Sequence, residues 1–175
     1  LSGDNDSLNT AIKFDRHWQA GATNDILIKG FNITGYSAAG IIMQDAKNIT
    51  LQDINIYDIG DWDLKWCKKC NYGASGSQVP PGGGIYITGR TNNVTLNNID
   101  ITKTGGSGIS LSDNVKNIEI KNSRIHDYIN WAVDLAVART TDTIKNVYLH
   151  DNEIFNIYQF GNRFWNRALL GLESH

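Results

Sequence analysis

The sequence repeats a short unit at a regular interval. A glycine that precedes an alternating apolar run occurs at Gly40, Gly84 and Gly108, and Ala132 continues the series, so the steps are 44, 24 and 24 residues. The step of 44 residues is one unit that contains an insertion. A unit of this length cannot bury its own apolar face and must stack on copies of itself. The repeat therefore predicts a solenoid.

A second series of residues has the same interruption. Its steps are 23, 45, 24 and 29 residues, at Asp25, Asn48, Asn93, Asn117 and Asn146. Extending the repeat in both directions gives an earlier copy of the first strand at 11–14 and a later copy at 169–172. We therefore expect six first strands and about five complete turns, with a long loop insertion at 57–83.

Each unit holds three short runs with apolar residues at every second position, which indicates β-strands. In the best-defined unit these runs are "GISLS", "NIEI" and the run that closes at Ile125. Only two to five residues separate the runs, too few for a crossover helix, so each strand must pair in parallel with its counterpart one turn later. The expected fold is all-β, a parallel β-solenoid and most simply a right-handed β-helix, with three strands per turn in a single domain over 1–175.

Composition argues against two classes of partner. The chain of 175 residues has a formal net charge of −2, which gives no electrostatic basis for binding nucleic acid or an anionic membrane. No apolar run approaches the length of a membrane span, and the first residues lack the basic and apolar regions of a signal peptide. We expect neither nucleic acid nor a membrane as a partner.

The ends of the predicted solenoid carry no cap. The first predicted strand begins about ten residues after Leu1, the last ends at Leu172, and no amphipathic helix pattern covers either end. A solenoid needs its last apolar layer covered. We therefore expect that the chain is an uncapped portion of a longer β-helix, or that a partner covers its open ends.

The repeat also resembles a known superfamily. The frame Gly-Ile-x-Leu, then Asn-Asn-[Val/Ile]-x-[Leu/Ile]-x-Asn, then Asn-Ile-x-Ile, as in "GISLSDNVKNIEIKNSRI", is similar to the right-handed β-helix repeats of pectate lyases, alginate- and chondroitin-active lyases, mannuronan epimerases, polygalacturonases and phage tailspikes. The resemblance runs from about 11 to 173. It implies a secreted or cell-surface protein that binds a polysaccharide along the face of the first strand. It does not select a reaction, because one scaffold carries many functions.

The loops that lead into the first strands vary in length more than any other segment. Three of them span seven residues, whereas 154–169 spans 15 and 56–84 spans 28. Insertions in a solenoid collect on its working face. We therefore expect the two long loops to form the walls of a groove whose floor is the first strand.

Alternation predicts which side chains form that floor. If Ile109 and Leu111 point inward, Ser110 and Ser112 point outward. The first outward column is then Lys13, Ile42, Tyr86, Ser110, Asp134 and Gly171, and the second is Asp15, Gln44, Thr88, Ser112, Ala136 and Glu173. Asp134 is the only acid in the first column, so it is a candidate base, nucleophile or metal ligand, with Tyr86 near the chemistry. The alternative is that Asp134 only hydrogen-bonds loop backbone.

A further column lies where the wall loops begin. It reads Asp58, Lys103, Asp127 and Asn156, beside Tyr57, Thr102, His126 and Phe155. One interpretation is a ladder of ion pairs, each contributing about 0–1 kcal/mol at the surface. The other is that Lys103 or His126 removes a proton next to a uronic carboxylate, while a cation such as calcium, or an arginine, neutralises that carboxylate.

A calcium site is the one cofactor that the sequence suggests. Asp58, Asp61 and Asp63, in "YDIGDWDLKW", would supply the oxygen ligands that calcium prefers. The same spacing also fits an ordinary solvated loop, so both interpretations stay open.

Aromatic residues concentrate in the loops rather than in the strands. Flat rings on groove walls are surfaces on which sugars stack, although long loops also need aromatic residues for their own small cores. Cationic residues nearby suit carboxylated or sulfated glycans. The candidate substrate-binding residues are Trp62, Trp66, Ser110, Tyr128, Trp131, Arg163, Trp165 and Glu173.

The function that these features favour is an acidic-polysaccharide lyase acting by β-elimination, with Asp134, His126, Lys103 and Tyr86 as candidate catalytic residues. One alternative is a noncatalytic carbohydrate-binding or adhesive solenoid. Another is a glycoside hydrolase that pairs Asp134 with Asp127 or Glu173. The polygalacturonase motifs and the epimerase motif Asp-Pro-His-Asp are absent from the sequence.

Overall fold

A computed structural model describes residues 1–2, 10–14, 24–60, 82–128, 131–136 and 141–157. Within these residues the regular structure is entirely β-strand, and no helix is long and apolar enough to cross a membrane. The strands are β1 (Thr10–Phe14), β2 (Asn24–Lys29), β3 (Asn32–Thr34), β4 (Ala39–Gln44), β5 (Lys47–Ile59), β6 (Gly83–Thr88), β7 (Asn92–Thr104), β8 (Ile109–Ser112), β9 (Lys116–Lys121), β10 (Arg124–Tyr128), β11 (Val133–Ala136), β12 (Lys145–His150) and β13 (Glu153–Ile157).

The strands pair only in parallel, each with its counterpart one repeat away, as predicted. The first-strand sheet has the order β1-β4-β6-β8-β11. The second sheet holds the second and third runs of each repeat. In this sheet β2 and β3 both pair with β5, and β5 pairs with β7. β7 then pairs with β9 and β10, β9 pairs with β12, and β10 pairs with β13. In β5 and β7 the second and third runs form one continuous strand of 13 residues. The architecture is therefore the predicted parallel solenoid.

The core is a set of stacked aliphatic columns. Ile41, Ile85 and Ile109 are partners in the first-strand sheet, and each is 0% exposed. Met43, Ile87 and Leu111 form the next inward column along the same strands. Burying one such side chain stabilises the fold by about 1.5–3 kcal/mol, so the regular repeat of Ile and Leu provides the main driving force for stacking.

Asparagine and aspartate occupy corners where the backbone is left-handed. One column has φ between 54° and 58°, at Asp25, Asn48, Asn93, Asn117 and Asn146. Short amide and carboxylate side chains tolerate this conformation because they hydrogen-bond locally. The side chains also form a continuous ladder, with hydrogen bonds of 2.8, 3.0, 3.0 and 2.8 Å from turn to turn. The second repeating series of the sequence is thus this ladder.

The repeating glycine lies where the third run turns into the first strand. A Cβ at Gly84 would lie 2.5 Å from the Gly108 carbonyl oxygen and 2.8 Å from Cγ2 of Ile101. A Cβ at Gly108 would lie 2.6 Å from Cγ2 of Ile125. Backbone and isoleucine columns approach too closely at this corner for any side chain. Ala132 continues the column beside the last turn, where Ile154, the partner of Ile125, is 47% exposed.

The long insertion leaves and re-enters the solenoid at one place. β5 ends at Ile59 and β6 begins at Gly83. The first and last residues of the predicted 57–83 insertion therefore belong to these two strands. The amide of Gly60 donates to the Tyr36 carbonyl at 2.7 Å, and a Cβ at Gly82 would lie 2.8 Å from the Gly60 Cα. Because its two ends touch, the insertion leaves the stacking of β4 on β6 unchanged. The predicted sixth first strand at 169–172 lies outside the described residues.

Candidate functional site

The first outward column has the register that alternation predicted. Lys13 pairs with Ile42, Ile42 with Tyr86, Tyr86 with Ser110 and Ser110 with Asp134. Three polar side chains therefore stand on consecutive turns of the first-strand sheet. We call Tyr86, Ser110 and Asp134 the first-strand column.

Burial differs along this column. Tyr86 and Ser110 are each only 6% exposed, so the floor is covered at these two residues, whereas the sequence suggested an open surface. Asp134 is half-buried. Burial raises the pKa of the Asp134 carboxyl above the ordinary aspartate range, and its hydrogen bond with Ser110 acts in the opposite direction. A carboxylate in this environment is a stronger base than one in water.

Ser107 is a residue of this region that the sequence analysis missed. The amide of Gly84 donates to the Ser107 carbonyl and that of Gly108 to the Trp131 carbonyl, which places Ser107 between Gly83 and Trp131 on consecutive turns. A Cβ at Gly83 would overlap the ring of Tyr86, 2.6 Å from Cε2. Ser107 is 0% exposed, and its Oγ has no hydrogen-bond partner in the part of the chain that the structure describes. The sequence signal for Ser107 was a serine at a position where the two preceding turns carry Ala39 and Gly83.

The second outward column is a chain of hydroxyl groups. Ser112 Oγ donates to Thr88 Oγ1 at 2.9 Å, and Thr88 Oγ1 donates to a carboxylate oxygen of Asp113 at 2.6 Å. These groups satisfy one another. They stabilise the end of the first-strand sheet and offer few free donors to a ligand.

His126 and Lys103 belong to the other sheet, so the structure divides the predicted catalytic residues into two groups. His126 lies on the outward side of β10, on what we call the third-run face, formed by β3, the C-terminal halves of β5 and β7, β10 and β13. Its Nδ1 lies 2.8 Å from Asp127 Oδ2 and its Nε2 lies 3.1 Å from Asp100 Oδ1. Both ring nitrogens are therefore engaged by carboxylates.

One further contact holds His126 in place, and Arg124 contacts two of the same partners. The His126 ring stacks on Phe155 with a centroid separation of 4.7 Å and an interplanar angle of 3°. Arg124 lies 3.4 Å from Asp100 and 3.3 Å from Glu153, and its guanidinium is 5.6 Å from the centre of the Phe155 ring. Asp127 of the predicted charged column, together with His126 and Phe155 beside it, thus belongs to a network of ion pairs and rings.

Lys103 occupies a left-handed corner. Its φ of 52° matches the values of 52° at Asp58 and 50° at Asp127, its column neighbours, although positive φ is uncommon for lysine. Its side chain is exposed. This placement is compatible with the ladder interpretation and with the catalytic interpretation.

Several predicted site residues lie outside the described residues: Trp62, Trp66, Arg163, Trp165, Glu173, Asp61 and Asp63. The backbone of Tyr128 ends β10, and Trp131 is half-buried beside Ser107. Asp58 is the one predicted calcium ligand that the structure places. Within the described ranges, no group of three His, Cys, Asp or Glu residues is arranged to hold a metal ion.

Comparison with known proteins identifies the family. The family described as the right handed beta helix region matches residues 19–169, which is most of the chain. No curated protein and no solved structure gives a significant match. The match covers the described strands from β2 to β13 and agrees with their parallel stacking. The chain therefore belongs to the right-handed β-helix family.

Proposed function

We propose that this protein is a secreted or cell-surface polysaccharide lyase that acts on an acidic polysaccharide. The observation that carries the proposal is the carboxyl of Asp134, which lies in register with Ser110 and Tyr86 and whose pKa is raised by burial. A group with a raised pKa beside further proton-bearing groups is a common arrangement for general acid and base catalysis.

In the proposed reaction, Asp134 removes the proton on the carbon next to the uronic carboxylate. The electron pair forms a carbon–carbon double bond, and the bond from the neighbouring carbon to the glycosidic oxygen breaks. The departing oxygen takes a proton from Tyr86 or from water. The products are one fragment with an unsaturated sugar at its new nonreducing end and another fragment with a new reducing end.

The positions of the other residues support distinct roles in this proposal. Ser110 lies between Tyr86 and Asp134 and hydrogen-bonds Asp134, so it orients the carboxylate. Asp134 is half-buried while its two column neighbours are nearly covered, so it is the member of the column nearest to solvent. His126 and Lys103 lie on the other sheet and take no part in the proposed reaction. Calcium as a cofactor stays a prediction.

A noncatalytic carbohydrate-binding solenoid is the second candidate. The specific observation in its favour is the 6% exposure of Tyr86 and Ser110, which restricts a polymer's access to two of the three polar groups in the column. In this alternative Asp134 and Ser110 form a structural hydrogen bond. A hydrolase would need a second carboxylate, and the described part of the column contains none.

The test is ultraviolet absorbance near 235 nm, where unsaturated uronic sugars absorb, on mixing the protein with pectate, alginate and glycosaminoglycans. Each polymer is tested with calcium and with a chelator, and reducing ends are counted in parallel. We expect a rise in absorbance that is lost in Asp134→Asn and retained in the matched variant Asp113→Asn, at the residue that follows the neighbouring strand β8. New reducing ends without absorbance would indicate hydrolysis, and neither signal would favour the binding solenoid.

A further inference from the structure

The third-run face carries a column of rings that one residue interrupts. Tyr57, Thr102, His126 and Phe155 are register partners on consecutive turns. His126 and Phe155 stack face to face, 4.7 Å apart, which equals the spacing of neighbouring strands. The column begins with Thr34, the partner of Tyr57, and its rings are at Tyr57, His126 and Phe155. Thr102 is the position between Tyr57 and His126 where a ring is missing.

The surface above Thr102 forms a shallow depression that is open to solvent. It has a volume of about 380 Å³ and is lined by Tyr57, Thr102 and His126, with Asn55, Asp100 and Arg124 from the adjacent column. Tyr57 and His126 are two turns apart, a separation of roughly 9.5 Å at the spacing of parallel strands. The depression is a slot with a ring-bearing residue on each side.

The spacing of the slot limits a ligand to a single ring between Tyr57 and His126. A saturated sugar ring suits this place because it presents apolar C–H faces to the two ring-bearing residues and hydroxyl groups to the rim. Aromatic walls suit the apolar faces of such rings, and the amide of Asn55, the hydroxyl of Thr102 and the guanidinium of Arg124 supply hydrogen-bonding groups at its rim.

The charges around the slot disfavour an anionic ligand. Asp100, Asp127 and Glu153 surround Arg124 and His126, and Arg124 is already bridged between Asp100 and Glu153 at 3.4 and 3.3 Å. The Arg124 guanidinium is thus committed to carboxylates of the protein. A uronic or sulfated ring would compete with these carboxylates and would be repelled by them.

We propose that the third-run face binds one pyranose ring of a neutral saccharide in the slot above Thr102, between Tyr57 and His126. This site lies on a different sheet from Asp134 and does not depend on the proposed elimination chemistry. It would hold a neutral glycan while the first-strand sheet faces a separate ligand.

The experiment fills the slot with the missing ring. Thr102→Phe completes the column of rings, and Thr102→Ser is the matched control that leaves the slot open. Binding of cellohexaose, mannohexaose, xylohexaose and hexagalacturonate is measured by calorimetry and by NMR shifts of the His126 ring. We expect at least one neutral hexasaccharide to bind in the micromolar to millimolar range, Thr102→Phe to weaken it at least tenfold and Thr102→Ser to change it less than threefold.

Further variants keep the proposal falsifiable. Tyr57→Ala removes one wall and should weaken binding at least fivefold, so it decides the question if Thr102→Phe fails to fold. Asp134→Asn should bind the neutral sugar as the unsubstituted protein does, which separates this site from the lyase proposal. Binding of hexagalacturonate alone, no binding of any neutral hexasaccharide, or full binding by Thr102→Phe would overturn the inference.

Discussion

The first-strand sheet and the third-run face are built from the same repeat, yet they treat polar residues differently. On the first-strand sheet, Tyr86 and Ser110 are 6% exposed and Asp134 is half-buried. On the third-run face, the side chain of Arg124 is 52% exposed and that of Glu153 is 70% exposed. The central polar groups of the first-strand sheet are covered or half-buried, whereas Arg124 and Glu153 on the third-run face reach solvent.

This difference shows that burial, rather than residue type, determines the electrostatic environment of each charged group. Burial raises the pKa of the Asp134 carboxyl, whereas the exposed network around Arg124 and Asp100 is screened by water. In our proposals, the covered first-strand column carries the reaction and the third-run face binds a sugar ring. Substitutions should affect stability most on the buried side, and the predictions below are arranged accordingly.

The largest effect is expected at the glycine corner beside the first-strand sheet. Gly84→Ala places a Cβ 2.5 Å from the Gly108 carbonyl oxygen and should lower the free energy of unfolding by about 1–3 kcal/mol, because the backbone must move. The matched substitution Ala132→Gly, in the same column, should cost no more than about 1 kcal/mol. Urea unfolding measures both. Equal losses would show that the corner is no tighter at Gly84 than beside the open last turn.

The next effect is a pH dependence on the same sheet. Because burial raises the pKa of Asp134, its contribution is fully favourable below the unfolded pKa, near 4, and is lost as pH rises through the folded pKa. Asp134→Asn cannot ionise, so it should gain stability relative to the unsubstituted protein between pH 4 and pH 7. Thermal unfolding at several pH values tests this sign. A difference that does not depend on pH would contradict the buried environment of Asp134.

A smaller effect is expected on the open face. Phe155→Leu keeps an apolar side chain but removes the stack with His126 and the contact with Arg124, and should cost about 1 kcal/mol. Phe155→Tyr preserves the ring and serves as its control. Urea unfolding of both variants gives the comparison. A loss as large as that of Gly84→Ala would break the distinction between the two sides.

The smallest effect is expected at a second histidine on the solenoid surface. His150 lies 2.8 Å from Asp151 and 3.2 Å from Glu119, and these hydrogen bonds raise the pKa of its imidazole. Its stabilising contribution is therefore fully present below the unfolded pKa, near 6.5, and is lost as pH rises through the folded pKa. His150→Gln should be slightly less stable than the unsubstituted protein at pH 5.5 and equal to it at pH 9.

The His150 experiment is checked by NMR titration of the histidine ring. Asp151→Asn removes the partner at Nδ1 and should lower the imidazole pKa toward its ordinary value while the chain stays folded. A titration midpoint that Asp151→Asn leaves unchanged would mean that the hydrogen bond does not act on the ring in solution.

The fold and the register of the candidate site could be predicted because a repeat carries its own alignment. The glycine spacing and the alternation at Ile109 and Leu111 led directly to the pairing of Tyr86 with Ser110 and of Ser110 with Asp134. The ladder through Asn93 and Asn117 follows from the same spacing. In each case the partner of a residue on the next turn lies one repeat further along the sequence, so the repeat spacing gives the strand register.

The remaining features of the site depend on side-chain contacts that the sequence repeat does not specify. The sequence placed Tyr57, Thr102, His126 and Phe155 in one column, but the parallel stacking of two rings and the slot above Thr102 depend on side-chain orientation. Among the described residues the Ser107 hydroxyl has no hydrogen-bond partner, and His126 lies on a different sheet from Asp134. Both features depend on how two sheets meet at a corner.

The sequence by itself determined that this protein stacks parallel strands, which residues share a column and which corners require glycine or asparagine, because these properties repeat with the chain. Only the tertiary structure decided which polar residues are covered, which rings touch and which carboxylates pair with His126. The physical reason is that burial and pairing arise between groups on different runs and loops. Their distances are set by packing, which the local pattern does not specify.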